Sequence, residues 1–305
     1  MIFSKNNHIN YWYNNDPSCL TRTNEYDILN FSIGSINRAP LSFKEECIIA
    51  AKEIHQTYPD IHIGLTGGLD SNICLDSFMS AGITPGIFII KFPNGLNSFD
   101  ADYAEAKCTR LGIKPIVIDF DPLEFISTRL MATVEQYQIY SLYQAIHIDA
   151  CKTLSVPHIS VDEIELRRDV APEIEWCFVK KEDQDMCWRR YASIDSIPAL
   201  NNFYTWSPEL MLSFLQLPTI KKLANNELIG KLAWNSSKYA VYTEGGFGNV
   251  PNRPKTWGVE KIYNEWENSQ ADIDQQVIGP PRSCYVGYNE LITALEHGGG
   301  QWKYI

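Results

Sequence analysis

The sequence predicts an α/β protein: a parallel sheet with helices on both faces, followed by a mainly helical C-terminal part. Two observations carry that expectation. Four short apolar runs, "IHIGL", "GIFIIKF", "KPIVIDF" and "VPHISVD", alternate with stretches of helical spacing between residues 61 and 162. Such alternation is the mark of βαβ units, whose strands pair in parallel under a cover of helices. Beyond about residue 163 the alternation stops, and charged stretches lead into helical ones.

Taken in order, residues 1–42 are rich in Asn and weakly periodic, which predicts an irregular or short β-like lead-in. "LSFKEECIIAAKEIHQTYPD" predicts a helix. Ser42 and Glu45 have capping-box spacing, and Cys47, Ala50, Ala51 and Ile54 share one face. The first strand is expected at 61–65, and "SNICLDSFMSAG" is a helix ending at Gly82. A buried strand follows at 86–92. A helix then starts at a Ser98 cap, with acids in its first turn, and stops at Gly112. The third strand is expected at 114–120 and the fourth at 156–162, with "VEQYQIYSLYQAIHIDACKTL" between them as one long helix.

In the second half, "EIELRRDVAPEIEWCFVKKEDQD" reads as charged surface, and Arg189 and Arg190, set among aromatics, read as a solvated helix face, with the wall of a substrate pocket as the alternative. "SPELMLSFLQLPTIKKLANNELIGKLAWNSSKYAVY" is helical in character. "YTEGGFGN" reads as a flexible, lid-like loop. The end, "GPPRSCYVGYNELITALEHGGG", reads as a strand or turn, a helix and a frayed tail. The expected division is a lead-in (1–42), an α/β domain (43–165) and a mainly helical region (166–305) packed across the sheet's ligand edge.

Bulk properties narrow the function. A net charge of −11 argues against a nucleic-acid backbone as the main partner. The eight cysteines include no CxxC pair, and Cys47, Cys74 and Cys151 sit in helical apolar patterns as small buried hydrophobes. This usage predicts a reducing cytosol. No apolar run is long enough for a membrane span, and the first residues show no signal-peptide pattern. The expected location is therefore cytoplasmic, without membrane contact.

The chemistry concentrates in "GLTGGLDSN", where the first strand turns into a helix. Thr66, Gly67, Gly68, Leu69, Asp70 and Ser71 form that turn. Adjacent glycines allow a backbone nest of N–H groups, the helix N-terminus adds partial positive charge, and two hydroxyls can donate. The turn suits a phosphate chain. It lacks the GK[ST] of a Walker loop and the GxGxxG of a dinucleotide fold. A carboxylate at Asp70 inside an anion nest implies a metal, Mg²⁺, between it and the phosphates.

The turn resembles the SGGxDS signature of the PP-loop ATP pyrophosphatases, with Thr66 in place of Ser. The resemblance implies the adenine nucleotide alpha hydrolase-like (HUP) fold, and cleavage of ATP between its α and β phosphates to adenylate a substrate. The wider chain, over roughly 42–262, resembles the synthetase domain of asparagine synthetase and of β-lactam synthetase.

Two later stretches carry that second likeness. "PHISVDEIEL" stands where the family has a Gly-Ser-Asp-Glu loop, which would make Asp162, with Glu163 beside it, a second Mg²⁺ ligand facing Asp70. Ser160 and Val161 replace the family's glycines, and Ile159 replaces a Glu that manages protons in amide formation. "NRPKTWGVEK" resembles the family's Arg-x-Lys segment. On that match Lys255 would reach the α-phosphate and the acyl centre, and Arg253 would support phosphate or carboxylate binding. Lys238 is a weaker basic candidate. His62 and His158 lie inside strands and read as structural.

The resemblance implies a ligase that uses ATP and Mg²⁺ to join a small-molecule carboxylate to ammonia or an amine. Ile2, where glutamine-dependent members have Cys, implies no built-in glutaminase. The amine would come from free ammonia, from the substrate or from a separate ammonia-supplying partner, and a homo-oligomer stays open. Two other readings stay open beside it. One is a PP-loop enzyme that modifies a nucleobase or tRNA. The other is a non-catalytic nucleotide-binding protein with a degenerate PP-loop fold.

Overall fold

The structure, a computed structural model, describes residues 8–161, 164, 166–167, 177–200, 202–225, 234–248, 259–276, 279 and 282–304. It opens with β1 (Ile9–Tyr13) and β2 (Leu29–Ile33), then α1 (Phe43–Thr57), β3 (His62–Gly64), α2 (Leu69–Ser80), β4 (Gly86–Lys91), α3 (Ser98–Leu111) and β5 (Ile116–Asp119). The chain continues through α4 (Pro122–Thr128), α5 (Leu130–Tyr137), α6 (Leu142–Cys151), β6 (His158–Ile159), β7 (Leu166–Arg167), β8 (Cys177–Lys181), α7 (Glu182–Asp195) and β9 (Ala199–Leu200). It ends with α8 (Pro208–Leu215), α9 (Pro218–Ala224), α10 (Trp234–Glu244), α11 (Tyr263–Gln276), β10 (Ser283–Gly287), α12 (Tyr288–Glu296) and β11 (Gly300–Tyr304).

The centre is a five-stranded parallel sheet in the order β5-β4-β3-β6-β9. Its strands are short and apolar because both faces are covered. In β4, Ile87 and Ile89 join one core while Phe88 joins the other. The first core packs α1, α2 and α3 against the sheet, and the second is built from α4 to α7. The predicted sheet, with helices on both faces, is therefore the fold observed. From β3 the chain steps outward to β4 and β5, then returns to lay β6 on the other side of β3. The crevice beyond the carboxyl ends of β3 and β6 is thus a topological switch point, where open parallel sheets bind ligands.

Local signals explain the elements around it. Ser42 accepts from the Glu45 N–H and Glu45 reaches back to the cap, the capping box expected for α1. Gly112 closes α3 in the left-handed region, as its position predicts. Cys47, Cys74 and Cys151 are buried free thiols.

Three expectations are corrected. The single long helix after 130 is two, α5 and α6, because Gln138 takes φ 48 and breaks the intrahelical ladder. The lead-in follows the second of its two expected forms, short β-strands: β2 pairs antiparallel with β1 on one side and with β11 on the other. The frayed tail is therefore an edge of a three-stranded sheet. A further antiparallel sheet, β10-β8-β7, also belongs to the second half.

The third correction concerns α7, which is not a solvated helix. Trp188, Tyr191, Met186 and Cys187 are buried. Arg190 is buried too and donates to the carbonyls of Leu20, Tyr137 and Gln138 at 2.6, 3.1 and 2.9 Å. Arg189 donates to the Ile9 carbonyl at 2.6 Å and lies over the Tyr11 ring. Buried guanidinium groups hold such places only when carbonyls satisfy their donors.

Candidate functional site

The turn after β3 is built by sterics first. Gly64, the last residue of β3, faces the Phe88 ring, and a Cβ there would lie 2.6 Å from its Cζ. The chain then passes Leu65, buried in the core, to Thr66. Gly67 takes φ 71, a left-handed conformation that other L-residues avoid. Gly68 is the extended N-cap of α2 and offers no side-chain cap.

The amides of residues 69–71 precede the first bond of the helical ladder, Asn72 N–H to the Gly68 carbonyl at 3.2 Å. The two hydroxyls converge as expected. Thr66 Oγ1 and Ser71 Oγ are 3.3 Å apart, and Ser71 Oγ also lies 3.3 Å from the Thr66 amide. Hydroxyls, a left-handed glycine and a helix N-terminus thus meet at one point beyond the sheet.

Asp70 points away from solvent toward α10. Its carboxylate accepts from Lys238 Nζ at 3.0 Å and from the Tyr242 hydroxyl. Lys238 and Tyr242 are four residues apart, so one face of the helix presents both. A third contact comes from the short turn Phe203–Thr205, where Tyr204 donates to the Asp70 carbonyl at 2.7 Å. Burial pushes the phenols of Tyr204 and Tyr242 well above their ordinary range, and the Asp70 charge pushes further. Both therefore remain neutral donors. Lys238 is buried with its charge, and Asp70 is its close counter-ion.

Phe43 is the packing centre of this arrangement. Its ring meets Tyr204, Tyr242 and Phe247 at centroid distances of 6.0, 6.3 and 5.9 Å. Phe247 is buried, and its amide closes α10 on the Tyr242 carbonyl at 3.0 Å, with Gly246 at φ 93. The described part of "YTEGGFGN" is therefore a packed helix C-cap, not the free lid that its glycines suggest.

Of the sequence-predicted site residues, Thr66 to Ser71 come together. Asp162, Glu163, Arg253 and Lys255 lie outside the described residues. Val161, the last described residue before Asp162, leaves the sheet beside the Thr66 turn, because β3 and β6 are in register at Ile63 and Ile159. Ile159 is buried in the core. Among the described residues no group of three or more His, Cys, Asp or Glu side chains could hold a metal, and no helix is long and apolar enough to cross a membrane.

His62 binds the Asp60 carbonyl through Nδ1 at 2.8 Å. His158 is buried against Phe88, Trp188 and Tyr191. Both are structural, as expected. The site residues that sequence reasoning missed are Tyr204 and Tyr242. For Tyr242 a signal existed, the i,i+4 spacing from Lys238; for Tyr204 there was none.

No family model matches the sequence, and no curated protein matches it. Among solved structures, the chain is similar to a predicted subunit of a tRNA methyltransferase from Methanocaldococcus jannaschii, at 13% identity and a TM-score of 0.34, covering 73% of this chain and 95% of that one. It is also similar to NMN synthetase from Francisella tularensis, at 14% identity and a TM-score of 0.28, covering 76% of this chain and 94% of that one. A third is the NH3-dependent NAD synthetase from Campylobacter jejuni, at 10% identity and a TM-score of 0.27, covering 74% of this chain and 93% of that one.

Proposed function

We propose that the chain is an ATP-dependent, AMP-forming ligase of the PP-loop kind, which activates a substrate carboxylate and passes it to ammonia or an amine. One observation carries the reading. The Thr66–Ser71 turn sits at the carboxyl end of the central strand, with its hydroxyls converged, Gly67 left-handed and a lysine of α10 beside it. That donor set fits a phosphate chain with Mg²⁺: amides and hydroxyls for phosphate oxygens, a carboxylate for the metal.

In this reading ATP supplies the adenylyl group, and Mg²⁺ neutralises its phosphates. Thr66, Gly67, Gly68, Leu69 and Ser71 hold the β and γ phosphates through backbone and hydroxyl donors. Lys238 provides a fixed cation at the turn. Asp70 and Asp162 are the metal ligands, supported by the adjoining exits of β3 and β6 from the sheet. Lys255 and Arg253 serve the α-phosphate and the acyl centre, where a preplaced cation favours the charge that develops. The Asp70 carboxylate is already paired with Lys238. Metal binding at Asp70 and that ion pair therefore compete.

A second reading rests on Ile159. The resemblance places a proton-managing Glu there, and this chain has an alkyl side chain buried in the core. A nucleotide-binding protein without turnover would need no such group.

The test is product analysis with ATP labelled at the α-phosphate, Mg²⁺ and a small-metabolite extract. AMP that depends on the extract and disappears in Asp70→Asn and Lys255→Ala is the expected result. ADP as product, or undiminished AMP in Asp70→Asn, overturns the assignment. Bound ATP without turnover transfers it to the second reading.

A further inference from the structure

The cover of the central sheet thins at its β5 edge. Among the described residues β5 pairs with β4 alone. Ile116 and Val117, which point to opposite faces, are each 41% exposed. Leu111 before the strand and Leu123 after it are 37% and 41% exposed. Large apolar side chains on an open strand edge are what natural sheets avoid unless the edge has a partner.

The backbone shows which groups that edge offers. The Phe120 N–H donates to the Lys91 carbonyl at 2.8 Å. Alternate residues of a strand point the same way, so the amides of Ile116 and Ile118 also point to β4. The N–H and C=O groups of Val117 and Asp119 therefore point outward. Pro115, on the same side, offers a carbonyl and no N–H.

Charge along the strand selects the partner. Its start carries Arg110 and Lys114 and its end carries Asp119, Asp121 and Glu124, all exposed. A copy of the same strand laid antiparallel sets the basic start of each against the acidic end of the other, twice. A parallel copy would set like charge on like. Centred on Val117, the antiparallel pairing puts Val117 across from Val117 and Ile116 across from Ile118. Lys114 falls across from Phe120, between Asp119 and Asp121. The two Val117 amides meet each other's carbonyls, and each Asp119 amide meets a Pro115 carbonyl. Both outward amides of β5 are then used, and the N–H that Pro115 lacks leaves no donor without an acceptor. The same reversal brings Leu111 of each copy toward Leu123 of the other.

We infer that β5 is a self-association edge: two copies of this chain join antiparallel through β5 and continue the central sheet across a two-fold axis. The occupant is a second copy because the edge complements itself in charge, in apolar contact and in outward amides. The inference goes beyond the ligase reading and does not rest on it.

Sedimentation equilibrium of the full chain over a concentration series tests it. The expected mass rises with concentration and levels off at two chains. Val117→Lys sets two ammonium groups face to face at the axis and should weaken association about tenfold or more. The position is exposed, and a thermal melt checks the fold. Lys114→Asp and Asp119→Lys should each weaken association, and the two together should restore it, because the exchanged charges complement each other again. That restoration carries the test if Val117→Lys fails to fold. A single-chain mass at every concentration overturns the inference and leaves the edge to a different chain. A dimer undiminished in Val117→Lys, growth beyond two chains, or a double exchange no stronger than the single ones overturns it as well. None of these outcomes reads ATP turnover, so failure here is separable from failure of the ligase reading.

Discussion

Asp70 carries two demands at the scale of a single residue. The fold uses its carboxylate to neutralise the buried Lys238 ammonium, and the proposed chemistry uses it as a metal ligand. Tyr242→Phe removes one donor from Asp70 and keeps the ring against Phe43. A buried hydrogen bond to a charged group contributes about 1.5–3 kcal/mol, and urea unfolding should report a loss of that order. Lys238→Met removes the countercharge. Under the ligase reading, ATP affinity should then fall about a hundredfold by equilibrium dialysis, two powers of ten being the weight of one buried cation at a phosphate. Binding unchanged in Lys238→Met would remove the lysine from the site.

The glycine turn was legible because all its determinants are local: two glycines, two hydroxyls and the strand before them. Tyr204 was not. It meets Asp70 only through the tertiary path of the second half, and no spacing in the chain announces a contact 134 residues away.

At the scale of elements, α7 teaches the clearest lesson. Its sequence is crowded with charge, which predicts a solvated face. Burial was hidden because the partners of its arginines are backbone carbonyls, which every residue possesses. Arg190 donates to the carbonyls of Tyr137 and Gln138, the two residues where α5 ends. It therefore pins the break that divides the expected long helix. Arg190→Ala strands three carbonyls in the interior and should cost about 3 kcal/mol or more, seen as a lower urea midpoint. An unchanged midpoint would show that the break holds itself.

The capping box of α1 and the glycine stop of α3, by contrast, were legible because a cap is specified within four residues.

For the whole molecule, pH acts through the second core. His158 is enclosed by Phe88, Trp188 and Tyr191, its Nδ1 on the Val156 carbonyl and its Nε2 without a partner. Burial holds its pKa down, to about 4. The unfolded chain therefore binds a proton that the folded chain refuses between about pH 6.5 and 4. The contribution is complete above that window and is lost as the pH falls through it, up to about 3 kcal/mol. Denaturant midpoints measured across the window should fall with acid. In His158→Gln, which cannot titrate, that part of the slope should disappear; an identical slope would assign it to other groups.

The parallel sheet was legible at this scale because βαβ units repeat a local rhythm. The sheets that join the two ends of the sequence were not, since long-range antiparallel pairing leaves no local trace.

That pairing has a consequence for how the protein is made. The strand β2 lies between β1 and β11, and its second partner is the last described segment of the chain. A nascent chain emerging from the ribosome can form the β1–β2 hairpin early, but a lone hairpin is marginal in water. It must wait with one edge open while the parallel sheet and its helices, which lie between β2 and β11 in the chain, are synthesised. Vectorial folding therefore builds the parallel core first and closes this sheet only once β11 has emerged, in the step most exposed to capture by chaperones or by a neighbouring chain.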